Sequence, residues 1–375
     1  MTVRDLLPLF CFGFDGIEPP EDLCALLRQG LGGVILFKRN LRDLEQVCSL
    51  TATLHRHGAS PLLVGVDQEG GRVVRLPQPF LSPPPAATLG RIDDPALTRD
   101  VARAVGQELR AAGFTWNLAP VLDVHTNPDN PIIGDRAFGD DPCCVARMGL
   151  ATFRGLEEAG ILTTGKHFPG HGETASDSHL TLPESSQTAE RWRAVEFVPF
   201  REAIRAGVPS ILVAHLNCPA LDPTAPSSLS HVIVTDILRG ELGFDGVVVS
   251  DDLEMQAILA RFDIGEAAVR FLEAGGDLIL ICRDGDRQRQ AIAAVEAALR
   301  SGRLSEQKLR TSLDRLGRFT RRIAPQPVGH TTEILRTLLG TTEHQALLAR
   351  LLAAAAEPPT PPQDTAPSSE RADQA

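Results

Sequence analysis

With 375 residues, 43% of them hydrophobic and 23% charged, the chain has the make-up of a soluble globular protein with ample apolar material for a large core. A formal net charge of -11 and the lack of any Lys/Arg block argue against a nucleic-acid surface, and no apolar run approaches the roughly 18 residues of a membrane span. Seven cysteines, an odd number set mostly in apolar or helical contexts, fit packing residues in a reducing cytoplasm rather than a disulfide framework.

From the N-terminus, MTVRDLLPLFCFGFDG carries Arg4 and Asp5 early and an apolar run broken by Pro8, with no small-residue cleavage site, so no signal peptide is expected. Short apolar runs rich in β-branched residues then alternate with longer amphipathic ones. The runs predict strands over residues 10–14, 33–37, 62–67, 115–119, 162–167, 210–215, 246–251 and 277–282. Helical patterns fall between them, over 21–29, 41–57, 94–112, 142–159, 188–206, 232–242, 264–274 and 288–300. Gly58, Gly113, Gly160, Gly207, Gly243 and Gly302 sit just past helical patterns, where glycine stops are expected.

Strand-then-helix units in this number predict an α/β chain folded as a (β/α)8 barrel, with a doubly wound open sheet as the competing fold. The barrel is expected to occupy residues 1–325, with the amphipathic run LSEQKLRTSLDRLGRFTRRI packed against it. One or two further helices are expected in a C-terminal extension over 326–357. From Pro358 the sequence PPTPPQDTAPSSERADQA predicts a disordered, Pro-rich tail over 358–375. The Pro-rich stretch SPPPAATLG reads as a structural turn at the barrel rim.

A barrel of this kind places its chemistry at the C-terminal ends of the strands. Polar residues gather there: Asp67 and the loop DQEGGRVVR after the third strand, Asn117 and Asp123 after the fourth, Lys166 and His167 at the end of the fifth, His215 after the sixth, and Ser250-Asp251-Asp252 at the seventh. The densest stretch is GKHFPGHGETASDSHLTLP, residues 165–183, whose glycines and Pro169 preclude a long helix. In an extended segment Asp177 and His179 point to the same side, so the carboxylate can orient the imidazole while its other nitrogen exchanges a proton near neutral pH. Asp251, at the end of the apolar run VVVSD, is held on a rigid element as a nucleophile would be; Asp252 reads instead as a helix cap. The alternative chemistry for His167, His171, His179 and Asp177 is metal ligation, although the spacing is not that of a helical HExxH site.

KHFPGHG followed by DSH, with DQEGGRVVR upstream and VVVSDDLEM downstream, resembles glycoside hydrolase family 3, and in particular its single-domain bacterial β-N-acetylglucosaminidases of cell-wall recycling. The resemblance implies a retaining hydrolase in which Asp251 forms a covalent glycosyl-enzyme, His179 is the acid/base and Asp177 its partner. It also implies that Asp67, Arg75, Arg136, Lys166 and His167 contact the sugar. No cofactor or metal is implied; the partner is a small carbohydrate, an N-acetylglucosaminyl-anhydromuramoyl peptide, and the protein is expected to be a cytoplasmic monomer that binds neither nucleic acid nor membrane.

Other readings stay open at this point. Arg75 or Arg136 can pair with Asp67 or Glu69 and shape the site instead of touching sugar. His171 is expected to pin its loop, and Asp123 to be structural. The 2-acetamido group could act as internal nucleophile, but adjacent strand residues face opposite ways, so Asp251 and Asp252 are not expected to reach one sugar together. A family 3 β-glucosidase, a phosphorylase using the same dyad and a non-catalytic carbohydrate-binding barrel are the remaining alternatives. The acid/base segment is expected to change conformation when ligand binds.

Overall fold

Eight short parallel strands close on themselves: β1 (Phe10–Phe12), β2 (Gly33–Leu36), β3 (Leu63–Val66), β4 (Trp116–Asn117), β5 (Leu162–Phe168), β6 (Ser210–Val213), β7 (Val247–Asp252) and β8 (Leu278–Ile281). Each pairs with the next, and β8 returns to β1 with Ile279 opposite Phe10 and Ile281 opposite Phe12. That last pairing overturns the open-sheet alternative. This computed structural model describes residues 1–58, 61–174, 182–324 and 332–356.

The strands read GVIL, LVGV, SILV and LILI because a parallel sheet wrapped by helices is buried on both faces, and every residue of these four is buried. The helices are α1 (Val3–Leu6), α2 (Glu21–Gln29), α3 (Leu44–His57), α4 (Ala86–Ile92), α5 (Pro95–Ala111), α6 (Pro142–Glu158), α7 (Ala189–Ala194), α8 (Phe197–Arg205), α9 (Gln256–Leu259), α10 (Ile264–Ala274), α11 (Gly285–Arg300), α12 (Glu306–Thr320), α13 (Thr332–Leu338) and α14 (Thr342–Ala356). A π-helix, Val232–Glu241, replaces the α-helix expected between β6 and β7.

Caps set several boundaries. The helix expected from residue 41 starts at Leu44 because Asp43 accepts a bond from the Gln46 N–H at 2.9 Å. Asp284 does the same for α11 through the N–H groups of Asp286 and Arg287. The single helix expected over 188–206 is two, α7 and α8. Pro199 has no N–H to return to the Val195 carbonyl, so a helix cannot run through this point unbroken, whereas in the first turn of α8 the missing donor is no loss. The expected fourth strand shrinks to two residues, although the N–H groups of Thr115 and Leu118 still reach the β3 carbonyls of Val64 and Val66. The rim stretch 82–90 is only partly a turn, since α4 begins inside it at Ala86.

The main core runs through the barrel and the helices around it and takes in Leu335 and Leu339 of the C-terminal segment. A smaller apolar cluster of Leu89, Leu97, Val101, Val124, Phe138, Val145, Met148 and Leu351 lies where α14 meets α4, α5 and α6. The C-terminal extension is therefore packed onto the barrel's flank. The expected Pro-rich tail lies outside the described residues.

Candidate active site

Two strands lose register at their mouth ends. The β5–β6 pairing shifts between Gly165 and Phe168, and the β7–β8 pairing shifts between Val249 and Asp252. A shift of this kind re-aims side chains that strict alternation would separate. Lys166 and His167, joined by a cis peptide, both line one cavity, and Asp251 and Asp252 are also among its lining residues.

The cavity holds about 370 Å³, in the range of small-molecule sites, and opens at the C-terminal ends of the strands. Asp67, Glu69, Asp251 and Asp252 supply its carboxylates, and Arg72, Arg75, Arg136 and Lys166 its cations. Equal numbers of each sign suit a neutral, hydroxyl-rich ligand better than an anion.

On the β5 side the charges are tightly coupled. Lys166 is 2% exposed, and its Nζ sits 2.7 Å from Asp67 Oδ1 and 2.6 Å from Glu69 Oε1. Arg136 grips Glu69 through two bonds, Nε to Oε2 at 2.9 Å and Nη2 to Oε1 at 2.8 Å. Burial works to raise the Glu69 carboxyl, but the charges of Lys166 and Arg136 outweigh it and hold the group well below the usual carboxylate range. Of the two arginines considered for pairing with Asp67 or Glu69, Arg136 pairs with Glu69, and among the described residues Arg75 pairs with neither. The Arg75 Nε is buried without a hydrogen-bond partner among the described residues.

Asp123 orders the second layer. Completely buried, it accepts the His167 Nδ1 at 2.6 Å and the His171 backbone N–H at 2.6 Å. Burial pushes its carboxyl up, but His167 and His171 prevail and keep it low. The His167 Nε2 is left towards Arg136 at 3.3 Å. His171 donates to or accepts from Thr174 Oγ1 at 2.6 Å, and burial drives its pKa down to about 4, so it is neutral at physiological pH. Asn130 joins the long loop to the same segment by donating to the His171 carbonyl at 2.7 Å. Gly172 is required here because a Cβ would lie 1.8 Å from the Val124 carbonyl oxygen.

The β7 side is differently arranged. Asp252 Oδ1 accepts the N–H groups of Glu254 at 3.0 Å and Cys282 at 3.2 Å, which ties β7 to β8 and turns the chain after the strand. The helix-cap expectation is corrected: α9 is entered at Met255 without a side-chain cap. Burial, with Glu254 and Asp251 adding like charge, pushes the Asp252 carboxyl up to about 7. His215 is wholly buried, with Nδ1 2.6 Å from Ser228 Oγ and Nε2 3.1 Å from the Asp252 carbonyl, so it steadies the strand end. Asn117 bonds the Gln68 backbone in both directions at 3.0 Å and sets the entry to the β3 loop.

Asp177 and His179 lie outside the described residues, as does the conformational change expected of their segment. Among the described residues no cluster of His, Cys, Asp or Glu is arranged to hold a metal ion. Glu69 is the residue whose weight the sequence understated. Its signal was the spacing from Asp67, two positions that share a side in an extended segment.

The closed barrel and the charged cavity at its mouth put the candidate site where a (β/α)8 enzyme carries its chemistry. Residues 20–319 match the glycosyl hydrolase family 3 N terminal domain, and the chain belongs to that family. A β-hexosaminidase from Thiobacillus denitrificans is 40% identical over 272 residues, 71% of this chain and 75% of that protein. β-Hexosaminidase A from Pseudoalteromonas piscicida is 34% identical over 365 residues, 90% of this chain but only 60% of that longer protein. Among solved structures, a family 3 β-N-acetylglucosaminidase from Paenibacillus sp. superposes with a TM-score of 0.90 at 40% identity, covering 95% of this chain and 69% of that one. NagZ from Neisseria gonorrhoeae, in complex with N-trifluoroacetyl-D-glucosamine, gives 0.75 at 32% identity, over 93% of this chain and 98% of that one. The chain is a family 3 glycoside hydrolase of the β-hexosaminidase type.

Proposed function

We propose that the chain is a retaining, exo-acting β-N-acetylglucosaminidase that removes terminal non-reducing N-acetylglucosamine from β-linked substrates of the muropeptide type, working as a cytoplasmic monomer. Asp251 attacks the anomeric carbon as the bond to the leaving oxygen breaks, giving a glycosyl-enzyme ester. His179, oriented by Asp177, gives its proton to the leaving oxygen and later takes one from the water that releases the sugar. Asp67, Arg75, Arg136, Lys166 and His167 hold the sugar's hydroxyls.

The observation that carries this reading is the convergence of Asp251 with Lys166, His167, Asp67 and Arg136 on one cavity of sugar-binding size at the barrel mouth. The near balance of charge there favours a neutral ring. The names of the relatives favour N-acetylglucosamine as that ring.

Incubation with an aryl β-N-acetylglucosaminide and an aryl β-glucoside, each with and without phosphate, tests it. Fast, phosphate-independent release from the first substrate is expected. Preference for the glucoside would make the chain a β-glucosidase, a phosphate-dependent glycosyl phosphate product would make it a phosphorylase, and binding without turnover would leave a carbohydrate-binding barrel.

A further inference from the structure

A carboxylate far from the cavity gathers three separate segments. Glu108, on α5, is 1% exposed. Its Oε1 accepts the Gly340 N–H at 2.8 Å and lies 2.7 Å from His344 Nδ1, which joins it to the turn before α14 and to α14 itself. Its Oε2 accepts the Leu81 N–H at 2.6 Å, which joins it to the loop after β3. Buried carboxylates are stable only when paired and fully bonded, and here each bond comes from a different stretch of chain.

The connection continues to the site. The Leu81 carbonyl accepts from Gln68 Nε2 at 3.4 Å, and Gln68 Oε1 accepts the Arg75 backbone N–H at 2.9 Å. Gln68 is itself buried and fixed through Asn117. Arg75 ends the series, lining the cavity with a guanidinium whose Nε has no hydrogen-bond partner among the described residues. A guanidinium with so few bonds among the described residues keeps its aim only if its backbone is held. On the other side of the same wall, Leu351 of α14 packs with Leu89 and Phe138, next to the stretch that carries Arg136.

The geometry points to Glu108 as a positioning residue: through Leu81 and Gln68 it makes the C-terminal pair α13–α14 a brace that sets Arg75 against the bound sugar. The extension is then part of the substrate-binding apparatus and not only a cover for the barrel's flank. This rests on the reading of Arg75 as a substrate contact.

A double-mutant cycle separates this role from a merely structural one. Arg75→Ala, Glu108→Gln, His344→Ala and the two doubles with Arg75→Ala are assayed on the aryl glycoside that the wild type turns over, so that the sugar assignment can fail without touching the cycle. Arg75→Ala is expected to raise KM about tenfold or more, and Glu108→Gln and His344→Ala about fivefold each, with kcat within about twofold. In the Arg75→Ala background neither should raise KM further. Effects that multiply, or a lowered Tm with KM unchanged, would overturn the brace while leaving Arg75 as a contact; an unchanged KM in Arg75→Ala would remove Arg75 from the sugar site and the brace with it. His344→Ala, which removes the extension's side-chain contacts with Glu108 and Gln107 and leaves the Glu108–Leu81 bond in place, keeps the test open if Glu108→Gln folds poorly.

Discussion

The ends of β5 and β7, separated by β6, both contribute to one cavity, and each strand loses register against a neighbour there. Their electrostatics are opposite. At β5, Asp67 and Glu69 are matched by Lys166 and Arg136, and Asp123 is bonded by the His167 ring and the His171 backbone N–H, so the carboxyls of Glu69 and Asp123 are held low. At β7, Asp251 and Asp252 are adjacent carboxylates with Glu254 nearby, and the Asp252 carboxyl is pushed up to about 7. A wall whose charges already satisfy each other can hold a neutral ring without changing state. A wall of crowded carboxylates is the one suited to a change of covalent or protonation state.

Substitutions can break that contrast. Asp251→Asn should have the largest effect, a fall in kcat of about a thousandfold or more in a turnover assay, while folding is retained. Wild-type turnover in that variant would mean that β7 only binds. Glu69→Gln should act mainly on stability: Lys166 and Arg136 lose their shared counter-ion, at a cost of about 3 kcal/mol in denaturant unfolding. Should Glu69→Gln instead lower kcat as much as Asp251→Asn does, the division between a holding and a reacting wall is wrong.

Asp123→Asn should be milder. It keeps one acceptor for the His171 N–H but loses the charge facing His167, for about 2 kcal/mol of stability and a raised KM. A separate effect concerns pH. The unfolded Asp252 carboxyl releases its proton near pH 4, whereas the folded one retains it to about 7, so the folded state binds more protons between those values. Stability contributed by this group is therefore present in full below about pH 4 and lost as pH rises towards 7. Asp252→Asn keeps the acceptor for Glu254 and Cys282 and removes the titration, so the gap in Tm between it and the wild type should move in the variant's favour from pH 5 to pH 8.

Much of the architecture was legible because burial on both faces leaves a parallel barrel strand no freedom but to be apolar, and runs such as GVIL and LILI say so directly. The places where the reading slipped have local causes. Pro199 split one helix by removing a single donor, and β4 nearly vanishes as a ladder though its neighbours still bond to β3. Lys166 and His167 were found at their strand end, whereas the register shift beside Asp251 and Asp252 depends on the partner strand and leaves no mark in the strand's own sequence. Glu108 was missed altogether. Its signal was an acid three residues after Val105 and one before Leu109 on the inner side of α5, a position that a glutamate occupies only with partners drawn from elsewhere.

The bonds of Asp123 and Asn130, with Gly172 seated on the Val124 carbonyl, bind the loop after β4 to the segment after β5 as one body. Loops on a barrel are often regarded as modules that can be exchanged one at a time. Here the unit of exchange is the pair. A graft of residues 165–174 from a relative would bring foreign partners for Asp123 and Asn130, so a chimera would have to carry residues 122–141 from the same donor.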